Sequence, residues 1–95
     1  MQEKLVEFTS TVDVCQDYLE DQDFILKKGF KFNLYFDEIC CLGVISNIDT
    51  SKLCSIRAII TDDVESKIFT GSEFEIKSGP HLLARGRVFE IIELD

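Results

Sequence analysis

The sequence predicts a single all-β domain, a closed barrel or sandwich of about six short strands. Three observations carry that reading. Apolar residues recur with a period of two along most of the chain, turn-forming residues punctuate it at short intervals, and no stretch sustains a helical period. Ninety-five residues is a single-domain length, and neither an internal repeat nor a linker divides it, so residues 1–95 are read as one β-barrel-sized domain. A chain of this size buries roughly 60–70% of the surface it exposes when unfolded, enough for one core and little more.

The first strand is marked by Val6, Phe8, Ser10, Val12 and Val14 alternating with Glu7, Thr9, Thr11 and Asp13; β-branched residues in half-buried alternation fit a pleated surface. An acidic loop follows over Asp17–Asp23, with room for one helical turn at most across Asp17–Phe24. Lys28-Gly29 leads into the clearest strand, in which Phe30, Phe32, Leu34 and Phe36 alternate with Lys31, Asn33 and Tyr35. Ile39 to Ile48 is nearly continuous apolar sequence interrupted by Gly43, and a glycine there points to a bulge, a bend or close backbone contact. Cys54, Ile56, Ala58 and Ile60 alternate with Ser55, Arg57 and Ile59. Asp62-Asp63 opens another connection, Phe74 and Ile76 mark a short strand, and Ser78-Gly79-Pro80 turns into a long final strand from Leu82 to Leu94 through Gly86.

The apolar runs fall far short of the ~20 residues needed for a helical membrane span. The opening Met-Gln-Glu-Lys-Leu-Val-Glu-Phe has acids where a secretory signal carries a basic start and an apolar run. These features lead us to expect a cytoplasmic protein with no membrane partner. The cysteines agree with a reducing compartment: Cys15 and Cys54 stand alone, and Cys40 and Cys41 are adjacent, so they face opposite sides of a strand and cannot share a metal easily. The expectation is that all four act as small apolar fillers, with no metal site.

Little in the chain suits catalysis. His81 is the one histidine and lies beside Pro80 in the final turn. The carboxylates occupy loops and polar strand phases, whereas acid–base work needs burial to shift a pKa. There is no calcium-loop spacing, no phosphate-cradling glycine loop and no nucleophile elbow. The expectation is a non-enzymatic domain with no cofactor.

Charge is the remaining functional signal. The chain carries 18 acids against 10 bases, a net charge of −8. Seven of the acids (Glu3, Glu7, Asp13, Asp17, Glu20, Asp21 and Asp23) fall within the first 23 residues, against Lys4 alone. Such a surface repels nucleic-acid phosphates and steers a basic protein partner toward it. The expected acidic docking face comprises Asp17, Glu20, Asp21 and Asp23, with Asp62, Asp63 and Glu65 as additions. One concrete form is an immunity protein that neutralises a basic toxin such as a nuclease. The alternative is an RNA-binding barrel, because small barrels bind single strands through basic grooves and exposed aromatics; Lys27, Lys28, Lys31, Lys77, Arg85 and Arg87 would carry it. The alternation places Phe30, Phe32 and Phe36 on the core face, which disfavours a stacking platform there.

The C-terminal segment holds Phe74-Glu75-Ile76-Lys77-Ser78-Gly79, then Leu83, Gly86 and Val88. That pattern resembles the last hairpin of the third domain of translation elongation factor Tu. Lys28-Gly29-Phe30-Lys31-Phe32-Asn33-Leu34-Tyr35-Phe36 is similar to that domain's Lys-Gly-aromatic strand, and Glu7-Phe8-Thr9-Ser10-Thr11-Val12 to its opening strand. Together they cover nearly the whole chain. The resemblance implies a six-stranded antiparallel Greek-key barrel in which Gly86 lets a strand bend at a corner. It also implies an outer surface used for docking, and a tRNA-contacting position at Lys77. Nucleotide hydrolysis belongs to a different domain of that family and is not implied.

Overall fold

The period-two segments become six strands: β1 (Lys4–Val14), β2 (Lys31–Phe36), β3 (Ile39–Ile48), β4 (Cys54–Ile60), β5 (Glu73–Ser78) and β6 (His81–Leu94). They are seen in a computed structural model that describes residues 3–51 and 53–94. The strands close into a barrel in the order β1-β4-β3-β2-β5-β6, and every pairing is antiparallel. β2, β3 and β4 follow one another as hairpin neighbours while β1 returns beside β4, which is a Greek-key connection. β1 holds the ring together: Lys4–Ser10 pair with β4, and Val6–Val14 pair with β6.

The alternation read from the sequence sorts residues as expected. Val6, Phe8 and Ser10 of β1, Phe32, Leu34 and Phe36 of β2, and Cys54, Ile56, Ala58 and Ile60 of β4 are buried. The apolar run of β3 also alternates, with Cys41, Gly43 and Ile45 inward and Leu42 outward. Three phenylalanines fill one half of the interior: Phe8, Phe36 and Phe74 lie with ring centroids 5.6 to 6.2 Å apart, within the range where edge and tilted arrangements are favourable. The one fully buried hydroxyl, Ser10, donates to the Cys54 carbonyl at 3.1 Å, so it leaves no unpaired polar group in the core.

Closing six strands around so small an interior requires sharp local curvature, which bulges and glycines supply. The β1–β6 register slips between Glu7 and Phe8 and again between Thr9 and Ser10. The extra residues on β6 are Ile92 and Phe89, both exposed. Gly43 and Gly86 each sit opposite a core phenylalanine, Phe32 and Phe74 respectively. A Cβ on Gly43 would stand 2.8 Å from Phe32 Cε2, whereas one on Gly86 would meet the Phe74 ring and lie 2.7 Å from the Thr11 carbonyl oxygen. Both glycines therefore give up their side-chain volume to a neighbouring ring.

The two barrel mouths are closed by short helical segments. At the end where β1 finishes, a 3₁₀ stretch (Gln16–Asp21) runs directly into α1 (Gln22–Ile25). The acidic loop with one turn at most is thereby corrected to a continuous helical cap. The signal was weak because only Tyr18, Ile25 and Leu26 turn toward the core, too few for a visible helical period. At the opposite end α2 (Asp62–Glu65) follows β4. Ile25 and Val64 are the buried residues of the two caps, so each mouth is plugged by an aliphatic side chain. The β3–β4 loop is shaped by Asp49, whose Oδ1 accepts from Ser51 N at 2.9 Å, Ser51 Oγ at 2.7 Å and Leu53 N at 2.9 Å. The Ser51 hydroxyl and the Leu53 amide hold the Asp49 carboxyl below its ordinary range.

Gly86→Ala is expected to destabilise the barrel by about 1–3 kcal/mol in urea denaturation, the range for overpacking. The Thr11 backbone cannot withdraw from the new Cβ, while Phe32 can swing its ring edge away from one on Gly43. Gly43→Ala should therefore cost measurably less, and equal costs would contradict the close approach at Gly86.

Candidate functional site

The helical cap is anchored at both ends. Cys15 N donates to the Leu83 carbonyl at 2.8 Å as the chain leaves β1, and Gly29 N donates to the Ile45 carbonyl at 2.8 Å as it approaches β2. The Tyr18 ring meets His81 edge-on with centroids 6.3 Å apart. Asp17, Glu20, Asp21 and Asp23 are all exposed on this segment, and none of them forms an ion pair among the described residues.

Among these carboxylates stand two apolar side chains that sequence reasoning missed. Leu19 is 50% and Phe24 68% exposed. Phe24 is not loose: its ring packs edge-on against half-buried Phe30 at 5.8 Å, and Phe30 stacks on buried Phe32 at 6.1 Å. A ladder of three rings thus runs from the core to the cap surface. The phase of the Phe30–Phe36 alternation reveals only its inner end.

The other predicted acids lie elsewhere. β1 runs from Lys4, paired with Ile60, to Val14, paired with Ala84, and α2 follows Ile60. Asp62, Asp63 and Glu65 therefore occupy the barrel end opposite the cap, and the seven acids do not form one face. Lys4 Nζ lies 2.8 Å from Glu65 Oε1 and 3.4 Å from Asp62 Oδ1. The Glu65 and Asp62 carboxylates hold the Lys4 ammonium above its ordinary pKa. This pair of contacts ties the start of β1 to α2, a structural use for two of the three acids.

The six predicted RNA-binding cations also separate. Lys27, Lys28 and Lys31 are exposed where the cap joins β2. Arg87 is 2.8 Å from Glu73, and Arg85 and Lys77 are each 3.7 Å from Glu75. Lys77 Nζ also sits 4.5 Å from the centre of the Tyr35 ring. Carboxylates thus accompany the second basic group across its own sheet face.

A groove of about 530 Å³ crosses the outer wall over β1, β4, β3 and β2, and reaches Lys77 and Ser78 at the end of β5. Leu5, Leu42, Val44 and Ile59 give it apolar walls, and Lys31, Arg57 and Lys77 rim it. Ile59 falls in the polar phase of its strand's alternation, the one sign of this patch readable from sequence.

Among the described residues no group of three or more His, Cys, Asp or Glu side chains is placed to hold a metal ion, and no helix is long and apolar enough to cross a membrane. His81 is exposed at the start of β6. The filler reading fits Cys41 and Cys54, which are buried, but Cys40 is exposed and Cys15 half-buried. Adjacent residues on a strand face opposite sides, so one of Cys40 and Cys41 had to point outward. No family model matches the chain, and no curated protein or solved structure matches it.

In the folded protein at pH 8.5, iodoacetamide is expected to alkylate Cys40 while leaving Cys41 and Cys54 intact until denaturant is added, as counted by mass spectrometry. Burial pushes the Cys41 thiol up to about 12 and, with Asp49 nearby, raises Cys54. For such a group the neutral thiol is the form that suits the fold. Its contribution is intact below the ordinary thiol pKa of 9.0 and is lost as pH climbs from there toward 12. Denaturation midpoints measured from pH 8 to 11 should fall less steeply in Cys41→Val than in the parent.

Proposed function

We propose that this chain is a non-enzymatic protein-interaction domain that docks on a basic protein through its helical cap. The observation that carries the proposal is Phe24. It is a largely exposed aromatic ring, packed on Phe30, which stacks on Phe32, and it belongs to the same short helical segment as the exposed Asp17, Glu20, Asp21 and Asp23. A rigid aromatic anchor within a charged rim is the usual anatomy of a binding hot spot. Four like charges on one short segment steer an oppositely charged partner and speed its encounter. Asp62, Asp63 and Glu65 are left out of this face because they lie at the other end of the barrel.

An immunity protein that neutralises a basic toxin, such as a nuclease, is the specific form of this reading that the net charge of −8 supports. The kinship proposed with the third domain of elongation factor Tu draws support from the closed six-stranded antiparallel barrel and from the packing of Phe74 on Gly86. Its tRNA role draws less, since Lys77, Arg85 and Arg87 share their face with Glu73 and Glu75.

The test uses the partner retained from source-cell lysate by the immobilised protein at low salt. Association with that partner should slow at least tenfold when Asp17, Glu20, Asp21 and Asp23 are changed to Asn or Gln, and its salt dependence should flatten. Phe24→Ser should instead speed dissociation. Unchanged rates in both variants would remove the cap as the docking face. A tRNA gel shift at low salt that disappears in a Lys27, Lys28 and Lys31 triple glutamate variant would favour the RNA reading instead.

A further inference from the structure

We propose that the outer barrel wall carries a second docking surface, opposite in charge to the cap, which takes an acidic polypeptide segment with interspersed aliphatic side chains. The surface is laid out by strand register. Leu5 of β1 is paired with Ile59 of β4, and Ile59 is paired with Leu42 of β3. These outward side chains form a continuous row across three neighbouring strands, exposed by 38%, 48% and 65% respectively. The core does not need them, because the inward phase of the same strands is already filled by Val6, Ala58, Ile60 and Cys41. An apolar row exposed on the polar phase of a small domain is the kind of patch that marks an interaction site.

Charge complementarity identifies the occupant. The chain holds 18 acids and 10 bases, yet the groove containing this row is lined by Lys31, Arg57 and Lys77 and by no carboxylate-bearing residue. Arg57 is steadied by Glu7 at 3.3 Å, and Glu7 Oε2 is 2.9 Å from the Ser46 hydroxyl. Lys31 has no carboxylate partner among the described residues, whereas Lys77 lies 3.7 Å from Glu75, beyond hydrogen-bond reach, and 4.5 Å from the centre of the Tyr35 ring. An incoming carboxylate thus meets ammonium groups with unused hydrogen-bonding capacity, beside aliphatic walls.

Two further observations narrow the class. Phe32 is the one aromatic ring lining the groove, and it is buried. Bases would find no stacking surface, whereas Leu, Ile or Val side chains would find matching walls. The barrel is closed, so an occupant cannot add a strand to an open edge and must be recognised by its side chains. The groove crosses four strands, a span that a polypeptide segment can follow.

A displayed random-peptide library selected on the whole protein tests this. Peptides rich in Asp or Glu with interspersed Leu, Ile or Val should be enriched. Their amide-shift footprint on ¹⁵N-labelled protein should fall on Leu5, Lys31, Leu42, Ile59 and Lys77. Binding should weaken at least tenfold in K31E/K77E and in L42D/I59D, and should persist when the four cap acids are neutralised, which separates this surface from the cap. Recovery of no groove-dependent peptide, enrichment of basic peptides, or a footprint on the cap would overturn the proposal. Tighter binding of a random single-stranded RNA to the same footprint would do so as well. The footprint decides the matter even if a groove variant fails to fold.

Discussion

Everything else in the molecule depends on the contact between Phe74 and Gly86. β6 pairs with β5 on one side and with β1 on the other, and at Gly86 it does so where a missing side chain admits a ring. Phe74 occupies the volume a Cβ on Gly86 would need, and the Thr11 carbonyl limits the space from the β1 side. The same ring then meets Phe8 and Phe36, so one side chain links the β5–β6 pair to the core. Phe32 over Gly43 repeats the device in the β2–β3 pair, which adjoins β5 in the ring. Ring-over-glycine packing compensates for the apolar contact that a glycine strand position lacks.

Closure divides the sequence between two tasks. Inward residues of each strand are committed to the core, and both mouths are plugged by the caps. The outward residues are the ones left free of the core. The outward side chains differ by region: carboxylates and Phe24 on the cap, cations around an aliphatic row on the wall, and ion pairs linking β5 to β6 and β1 to α2. Surface ion pairs of that last kind add little stability individually, but they occupy charges that would otherwise be available to a partner.

The strands were legible because period-two alternation is a local signal, and all six begin and end within two residues of the segments read from the sequence. The helical cap was not, because a short capping segment buries too few side chains to impress a period on the sequence. Its composition showed that it was acidic, not that it was ordered. The separation of Asp62, Asp63 and Glu65 from the other acids was also invisible, since it depends on strand direction. The groove was half-legible: Ile59 stands out of phase in the sequence, but its neighbours Leu5 and Leu42 become neighbours only through pairing register. Phe24 reads as one more hydrophobic residue until the ladder beneath it is seen.

β1 has a further consequence for how the chain reaches this state. Its partners are β4 and β6, so Thr9 is matched to Ser55 on one side and Glu90 on the other. The strand that comes first in the chain must wait for the strand that comes last, and until then the β2–β3–β4 meander is the largest unit that local pairing can assemble. Search over such long loops slows folding, and an unpaired β1 leaves Phe8 and two open strand edges exposed meanwhile. The interval before β6 arrives is when this barrel is most vulnerable to misassembly.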